Sequence, residues 1–352
     1  MSALEFPFAH APAPGAVRAI APGVHWLRMP LPFALDHINL WLLEDGDGWT
    51  IVDTGLGDEA TRAWWDQVFA GAAGKRKVRR VLVTHFHPDH AGNAGWLCER
   101  FGVPLWMTQA EYLTAHAVRD GFAGHVPDAT LALFRANGLD DARHAQMGAR
   151  GNHYRRVVGE LPTCYRRIMD GESIAIGAHR WRVIAGYGHA PEHASLYCEA
   201  LGLVISGDML LPRISTNVSV WPTDPEGDPL GHFLRSIRRY RELPAATLVL
   251  PSHGLPFRGA PARVAQLEAH HEERLAELLE ACREAPRSAA DVLELLFRRK
   301  LDTHQMFFAM GEAIAHLHYL ERAGGLRRAV GDDGVARFAP VKEEAWQSPV
   351  TA

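Results

Sequence analysis

A cluster of metal-ligating residue types stands directly after a short predicted strand. Residues 79–84 (RRVLVT) end in an apolar, β-branched run, and residues 84–90 read THFHPDH. Three imidazoles so close together would repel one another if protonated, but neutral imidazoles and a carboxylate can share a bound cation. Loops at the carboxyl ends of strands are the usual position of sites in α/β layers. The sequence therefore predicts a metal site on this loop.

The order of the residues in this segment predicts room for two ions. His85 and His87 alternate at an extended strand end, so their side chains point to the same side and can bind one ion. Pro88 then redirects the chain, which lets Asp89 and His90 face a second ion. Two-metal hydrolytic sites hold their ions roughly 3.5–4 Å apart, a spacing that neighbouring ligands of one loop can serve.

The segment resembles the H-x-H-x-D-H signature of the metallo-β-lactamase superfamily, which includes glyoxalase II, ribonuclease Z and lactamase-beta-2-like proteins. Four further motifs resemble those of the family in sequence order. They are DTG at 53–55, GHAPEH at 188–193 (family G-H-T-P-G-H), SGD at 206–208 and SHG at 252–254 (family G-H-G). Each motif is short, but their order across residues 53–254 makes the resemblance specific.

The resemblance implies seven metal ligands, namely His85, His87 and His189 for one ion, Asp89, His90 and His253 for the other, and Asp208 as the bridge between them. It also implies that Asp53 supports the site without binding a metal. His193 could be a further ligand, but we expect it instead to bind nearby loop backbone or to line the pocket. Asp89 is the expected catalytic residue, which orients the nucleophile and passes on its proton. Ala190 and Glu192 depart from the family pattern, which puts the shape of this loop in question.

The implied cofactors are two divalent metal ions. Zinc is favoured, with iron and manganese as alternatives, because histidine and aspartate ligands suit all three. The implied reaction is hydrolysis by a metal-bridging hydroxide, since metal binding brings the pKa of water from 15.7 down to about 7.

Strand-like runs on both sides of the histidine segment predict an α/β protein. We expect strands in the first part of the chain at 23–29, 37–43, 49–53, 79–84 and 104–107, and further strands between residues 173 and 250. Helical patterns lie at residues 60–69 and 91–100. This layout predicts two sheets packed face to face with helices outside, the αββα sandwich of the metallo-β-lactamase fold.

The chain is expected to form two domains. Residues 1–258 form the metal-binding domain, with a helical insertion at about 109–165, and residues 259–352 form a small C-terminal domain. Three helices, the third capped by Thr303, followed by a hairpin at the GDDG turn of residues 331–334, make this domain winged-helix-like. This tail resembles the lactamase-beta-2-like and glyoxalase II-like branch.

The insertion contains the candidate substrate-binding residues Tyr154 and Tyr165, which stand beside pairs of arginines. A helical cover of this kind could select the substrate, because loops on a rigid scaffold vary without disturbing it. Two alternatives stay open: a solvated helix face, and a dimer interface that would make the protein a homodimer.

Charge bears on the class of substrate. Lys and Arg number 37 against 41 Asp and Glu, a net charge of −4, so the chain has no overall attraction for nucleic acid. The basic run at residues 75–80 reads more simply as a solvated turn, and Arg322 is the only lysine or arginine of the third C-terminal helix. We therefore expect a small ester, thioester or lactone. The alternatives are a phosphodiesterase or endoribonuclease, and a non-hydrolytic iron redox enzyme or ligand-binding regulator.

Cysteine usage and the N-terminus predict a cytoplasmic protein. The four cysteines are scattered and form no C-x-x-C pair, which argues against a disulfide framework. The first residues lack a basic segment followed by an apolar stretch, so we expect no signal peptide. No uninterrupted apolar run is long enough to span a bilayer, and we expect no membrane association.

Overall fold

The three strands expected up to residue 53 lie in the antiparallel part of a seven-stranded sheet. The computed structural model describes residues 4–122 and 124–341. The strands lie in sequence order across the sheet: β1 (Arg18–Ala21), β2 (Val24–Pro30), β3 (His37–Asp45), β4 (Gly48–Val52), β5 (Lys77–Leu82), β6 (Leu105–Met107) and β7 (Arg166–Arg167). Strands β1 to β4 pair antiparallel, whereas β4 to β7 pair parallel.

A second sheet of six strands contains the strands expected between residues 173 and 250. Its members are β8 (Ser173–Ile176), β9 (His179–Gly186), β10 (His193–Cys198), β11 (Leu203–Gly207), β12 (Leu248–Pro251) and β13 (Phe257–Arg258). They lie in the reverse of sequence order across the sheet, and only β11 and β12 pair parallel.

The two sheets bury a common apolar core. Trp26 and Trp41 from the first sheet and Trp181 and Leu196 from the second belong to one cluster of buried side chains. Their alternation along each strand sends one face of each sheet into this cluster. Because helices flank the two sheets, the expected α/β sandwich is confirmed.

The chain forms two compact units, and the helices are divided between them. Among the described residues, the first unit comprises 4–120, 153–216 and 239–263, and the second comprises 121–122, 124–152, 217–238 and 264–341. Helices α1 (Glu59–Ala70), α2 (Pro88–Ala91), α3 (Ala94–Phe101), α4 (Gln109–Asp120) and α7 (His153–Val157) belong to the first. Helices α5 (Pro127–Ala136), α6 (Asp141–Gly148), α8 (Pro229–Arg238), α10 (Leu293–Leu296) and α11 (Thr303–Arg322) belong to the second, as does most of α9 (Ala260–Glu284).

The described residues of 109–165 contain α4 to α7, which are divided between the two units, and the assignment of this segment as an insertion stays a prediction. The domain boundary at residue 258 stays a prediction. Residues 1–3, 123 and 342–352 belong to the predicted domains but lie outside the described residues.

The second unit contains the expected hairpin, in which β14 (Leu326–Val330) and β15 (Ala336–Pro340) pair antiparallel. The cap of α11 differs from expectation. The side chain of Asp302, not that of Thr303, accepts the Gln305 backbone N–H at 2.8 Å. The Gln305 side-chain oxygen in turn accepts the Asp302 backbone N–H. A carboxylate one residue earlier completes a capping box, which Thr303 inside the helix cannot do.

All four cysteines are free thiols, as the sequence predicts. Within residues 4–122 and 124–341, none of the helices combines the length and the apolar character that crossing a bilayer requires.

A close contact of backbones fixes the histidine segment against the turn that follows β4. The Thr54 N–H donates to the His90 carbonyl at 2.9 Å, and the Gly159 N–H donates to the Gly92 carbonyl at 3.1 Å. A Cβ added at Gly92 would overlap the Gly57 nitrogen and lie 2.6 Å from the Gly55 carbonyl oxygen. The turn and the end of α2 can therefore meet only if residue 92 has no side chain.

We expect Gly92→Ala to destabilise the protein by about 1–3 kcal/mol, the usual range for overpacking a close contact. The measurement is the free energy of unfolding in urea. Gly71→Ala is the matched control, because a Cβ there meets no atom closer than 3.5 Å and Gly71 has a φ of −89°. Equal stability of the two variants would contradict this account.

Candidate metal centre

The seven expected ligands come together where strands of both sheets end. His85 and His87 follow β5, His189 follows β9, Asp208 follows β11 and His253 follows β12, while Asp89 and His90 lie in α2. Their ligand atoms form three overlapping groups, each within 4.8 Å: His85, His87 and His189; His85, His90 and Asp208; and Asp89, His90 and His253. The topology, rather than sequence proximity, brings the last three ligands to the histidine segment.

The three-histidine group consists of His85, His87 and His189. His85 Nε2 lies 3.0 Å from His87 Nδ1 and 3.2 Å from His189 Nε2. Burial, together with the neighbouring histidines, lowers the pKa of His85 and His87 well below the usual value. The neutral forms of His85 and His87 are therefore favoured, and lone pairs of the three imidazoles can converge on one cation.

The mixed group consists of Asp89, His90 and His253. The Asp89 Oδ2 lies 3.7 Å from His90 Nε2 and 3.5 Å from His253 Nε2. Asp208 lies between the two groups, with Oδ1 3.5 Å from both His90 Nε2 and His253 Nε2, and Oδ2 3.5 Å from His189 Nε2. Each oxygen of Asp208 thus faces a different group.

The electrostatics of the mixed group favour positive charge. Burial lowers the pKa of the His90 imidazole, but Asp53, Asp89 and Asp208 outweigh burial and raise it to about 10. Burial also opposes the charged form of His253, and the Asp208 and Asp89 carboxylates again raise its pKa. A cation placed among these carboxylates is stabilised in the same way as a proton on the imidazoles.

Two buried atoms of the centre test whether a metal fits. His90 Nε2 and Asp208 Oδ1 have no hydrogen-bond partner within the described part of the chain. Such atoms are costly to bury unless something binds them. Imidazole nitrogens and carboxylate oxygens are ligands for zinc, iron and manganese, so a divalent cation fits this donor set.

Asp53 supports the mixed group from behind. It is the only residue other than glycine with a positive φ, at 61°, among residues 4–122 and 124–341. Its Oδ1 accepts the Thr84 N–H at 2.8 Å, and its Oδ2 lies 2.9 Å from His90 Nδ1. Donation from His90 Nδ1 leaves Nε2 facing the centre, and this contact explains why a strained backbone is retained.

Sequence reasoning missed two outer partners that orient the imidazoles. The Thr84 hydroxyl donates to Asp53 Oδ2 at 2.9 Å and accepts from His85 Nδ1 at 3.0 Å. His253 Nδ1 donates to the His37 carbonyl at 2.7 Å. Both contacts leave Nε2 as the ligand atom. Thr84 is part of the histidine segment and could have been recognised there as a hydrogen-bonding side chain. The His37 carbonyl is a backbone group on β3, and no residue type in the sequence indicates its role.

The contacts of the remaining expected site residues do not by themselves establish their roles. His193 is fully buried, and its Nε2 accepts the Asp208 N–H at 3.2 Å. The Tyr154 hydroxyl donates to the Phe86 carbonyl at 2.6 Å, and Tyr165 stacks on Tyr112 with ring centroids 3.8 Å apart. The supporting role of His193 and the substrate-binding roles of the two tyrosines stay predictions.

Two family profiles match this chain, one over the metal centre and one over the C-terminal region. The profile of the Metallo-beta-lactamase superfamily matches residues 34–253. The profile described as Metallo-beta-lactamase-like, C-terminal domain, matches residues 275–341. Together they span the metal centre and the helices and hairpin that follow it.

Individual relatives agree with these matches. The crystal structure of a beta-lactamase domain protein from Burkholderia ambifaria is 50% identical, with a TM-score of 0.90, over 96% of this chain and 98% of that chain. The probable metallo-hydrolase YqjP of Bacillus subtilis is 27% identical over 84% of this chain and 91% of the relative. The atrochrysone carboxyl ACP thioesterase of Aspergillus fumigatus is 23% identical over 80% and 75%.

We expect purified, metal-replete protein to retain about two divalent ions per chain after dialysis, as two-metal hydrolytic sites do. Elemental analysis by mass spectrometry measures this number. His87→Ala should lose roughly one ion, whereas His232→Ala, which changes an exposed histidine on α8, should lose none. Trace metal in the parent protein would contradict the assignment.

Proposed function

Because this chain belongs to the metallo-beta-lactamase superfamily and is a metallo-hydrolase, we propose that it cleaves a small carboxylic ester, thioester or lactone at a two-metal site. The observation that carries the proposal is the position of Asp208 between two converging ligand groups, with a buried oxygen that no described residue satisfies. A binuclear centre needs such a bridge, since one carboxylate offsets the repulsion of two dications.

In the proposed arrangement, the three-histidine group holds one ion, the mixed group holds the other, and Asp208 contributes to both. Zinc is the proposed ion, because imidazole and carboxylate ligands bind it readily. When bound, such ions supply Lewis-acid polarisation of a carbonyl oxygen and water of low pKa as a nucleophile.

Asp89 is proposed to move the proton. Its carboxylate is 19% exposed, whereas the side chains of His90 and His253 are at most 3% exposed. Among the three it therefore has the best access to substrate and water. The carboxylate can accept a proton from the attacking water and return it to the departing thiolate or alkoxide. Asp53 and Thr84 keep His90 and His85 in orientation throughout.

The preference for a carbonyl substrate over a phosphodiester rests on charge and on the relatives. A net charge of −4 provides no general attraction for a polyanion. The thioesterase relative acts, by its name, on an acyl carrier protein thioester. Thioesters, esters and lactones share a carbonyl carbon open to attack by water, so one arrangement of residues serves all three.

Replacing Asp89 by Asn keeps an oxygen in place but removes the proton acceptor. We expect kcat to fall by about 10²–10⁴-fold, the usual contribution of general acid–base catalysis. Steady-state kinetics on the best substrate measure the change. Asp128→Asn, at an exposed position on α5, is the control and should match the parent. Unchanged turnover in a folded Asp89→Asn protein would refute this role.

A substrate panel tests the function itself. Zinc-loaded protein is assayed on a thioester, an aryl ester, a lactone, a phosphodiester and a β-lactam. We expect kcat/KM of about 10⁴ M⁻¹ s⁻¹ or more for at least one of the first three, within the usual enzyme range. His87→Ala, prepared in parallel, should abolish that activity, which excludes a contaminating esterase. The highest kcat/KM on the phosphodiester would overturn the proposed substrate class.

A further inference from the structure

The first turn of α4 lies against two loops that supply metal ligands. We infer that Glu111 and Glu192 form a reciprocal clamp, which positions the three-histidine group by fixing these loops to each other. The inference rests on the metal assignment proposed above, but not on the substrate class. It assigns α4 to the support of the metal centre.

Glu111 joins the two loops with one carboxylate. The side chain is fully buried. Its Oε2 accepts the Phe86 N–H at 2.8 Å, and its Oε1 accepts the Glu192 N–H at 2.6 Å. Phe86 stands between His85 and His87, and Glu192 lies three residues after His189. The two bonds therefore set the distance between the ligand loop after β5 in one sheet and the loop after β9 in the other.

Glu192 returns the contact. Its Oε2 accepts the Ala110 N–H at 3.2 Å, and its carbonyl accepts the Thr108 hydroxyl at 2.7 Å. The N–H groups of the first helical turn have no partner within their own helix, so an outside carboxylate that binds one of them fixes the start of α4. Each glutamate thus holds the backbone next to the other.

The clamp accounts for the departure of residue 192 from the family pattern. The family's G-H-T-P-G-H has glycine at the corresponding position, and glycine has no carboxylate to bind the Ala110 N–H. Tyr154 binds the next peptide group, since its hydroxyl donates to the Phe86 carbonyl. The Phe86 N–H and carbonyl are both bound by buried side chains, which leaves little freedom to the histidines on either side of it.

Titration of metal-free protein with Zn²⁺ alone, followed by calorimetry, tests the clamp. We expect two binding events in the parent, and His87→Ala identifies the event of the three-histidine group by its loss. Glu111→Ala should weaken that event by about 10–100-fold, as the loss of outer partners of metal ligands does. The other event should stay near the parent value. The Zn²⁺ affinity of the three-histidine group in Glu111→Gln should lie between those of the parent and Glu111→Ala, because the amide keeps one of the two acceptor oxygens.

Glu268→Gln is the matched control. Glu268 is also buried, at 2% exposure, but it pairs with Arg238 Nε at 3.1 Å within the second unit. We expect it to lower the unfolding midpoint without changing either Zn²⁺ dissociation constant. A Glu111→Ala protein that is destabilised in the same way, with both dissociation constants unchanged, would overturn the inference and leave Glu111 a purely structural residue.

Two further outcomes separate this inference from the proposed function. If Glu111→Ala does not fold, Glu111→Gln carries the test, and unchanged binding by that variant would overturn the clamp. A parent that binds two Zn²⁺ ions but cleaves no carbonyl substrate would refute the substrate class. In that case a weakened three-histidine event in Glu111→Ala would still support the clamp.

Discussion

The carboxylate of Asp208 is buried among imidazoles, and the rest of the structure is arranged around that constraint. Its oxygens lie 3.5 Å from His189, His90 and His253, which come from three different chain segments. A buried carboxylate with an unsatisfied oxygen is costly unless cationic partners offset the cost. Metal ions in both ligand groups would supply those partners, so the function and the stability of this region depend on the same atoms.

The two-sheet scaffold makes this convergence possible. Asp53, His85, His189, Asp208 and His253 each follow the carboxyl end of a strand, and the buried core between the sheets holds those ends at one edge. The loops are then fixed by polar contacts with precise geometry. Thr84 and Asp53 orient imidazoles, while Glu111 ties the β5 loop to the β9 loop. Rigid strands set the coarse positions, and buried hydrogen bonds set the fine ones.

Much of this arrangement could be predicted from the sequence, because its signals are local. Alternating apolar residues give the strands, and the spacing of His85, His87, Asp89 and His90 indicates the site. The contacts that refine the site could not be predicted in the same way. The Glu111 bonds join residues 25 and 81 positions apart, and they end on backbone groups that every residue has. The cap at Asp302 was misplaced by one residue because Thr303 and Asp302 are both common capping residues.

Anomalous diffraction from crystals of the zinc-replete protein, recorded on both sides of the zinc absorption edge, locates the metal ions directly. We expect two zinc peaks, one among His85, His87 and His189 and the other among Asp89, His90 and His253, with an Asp208 oxygen against each. A single peak that Asp208 does not touch, in crystals grown and soaked with excess zinc, would contradict this expectation.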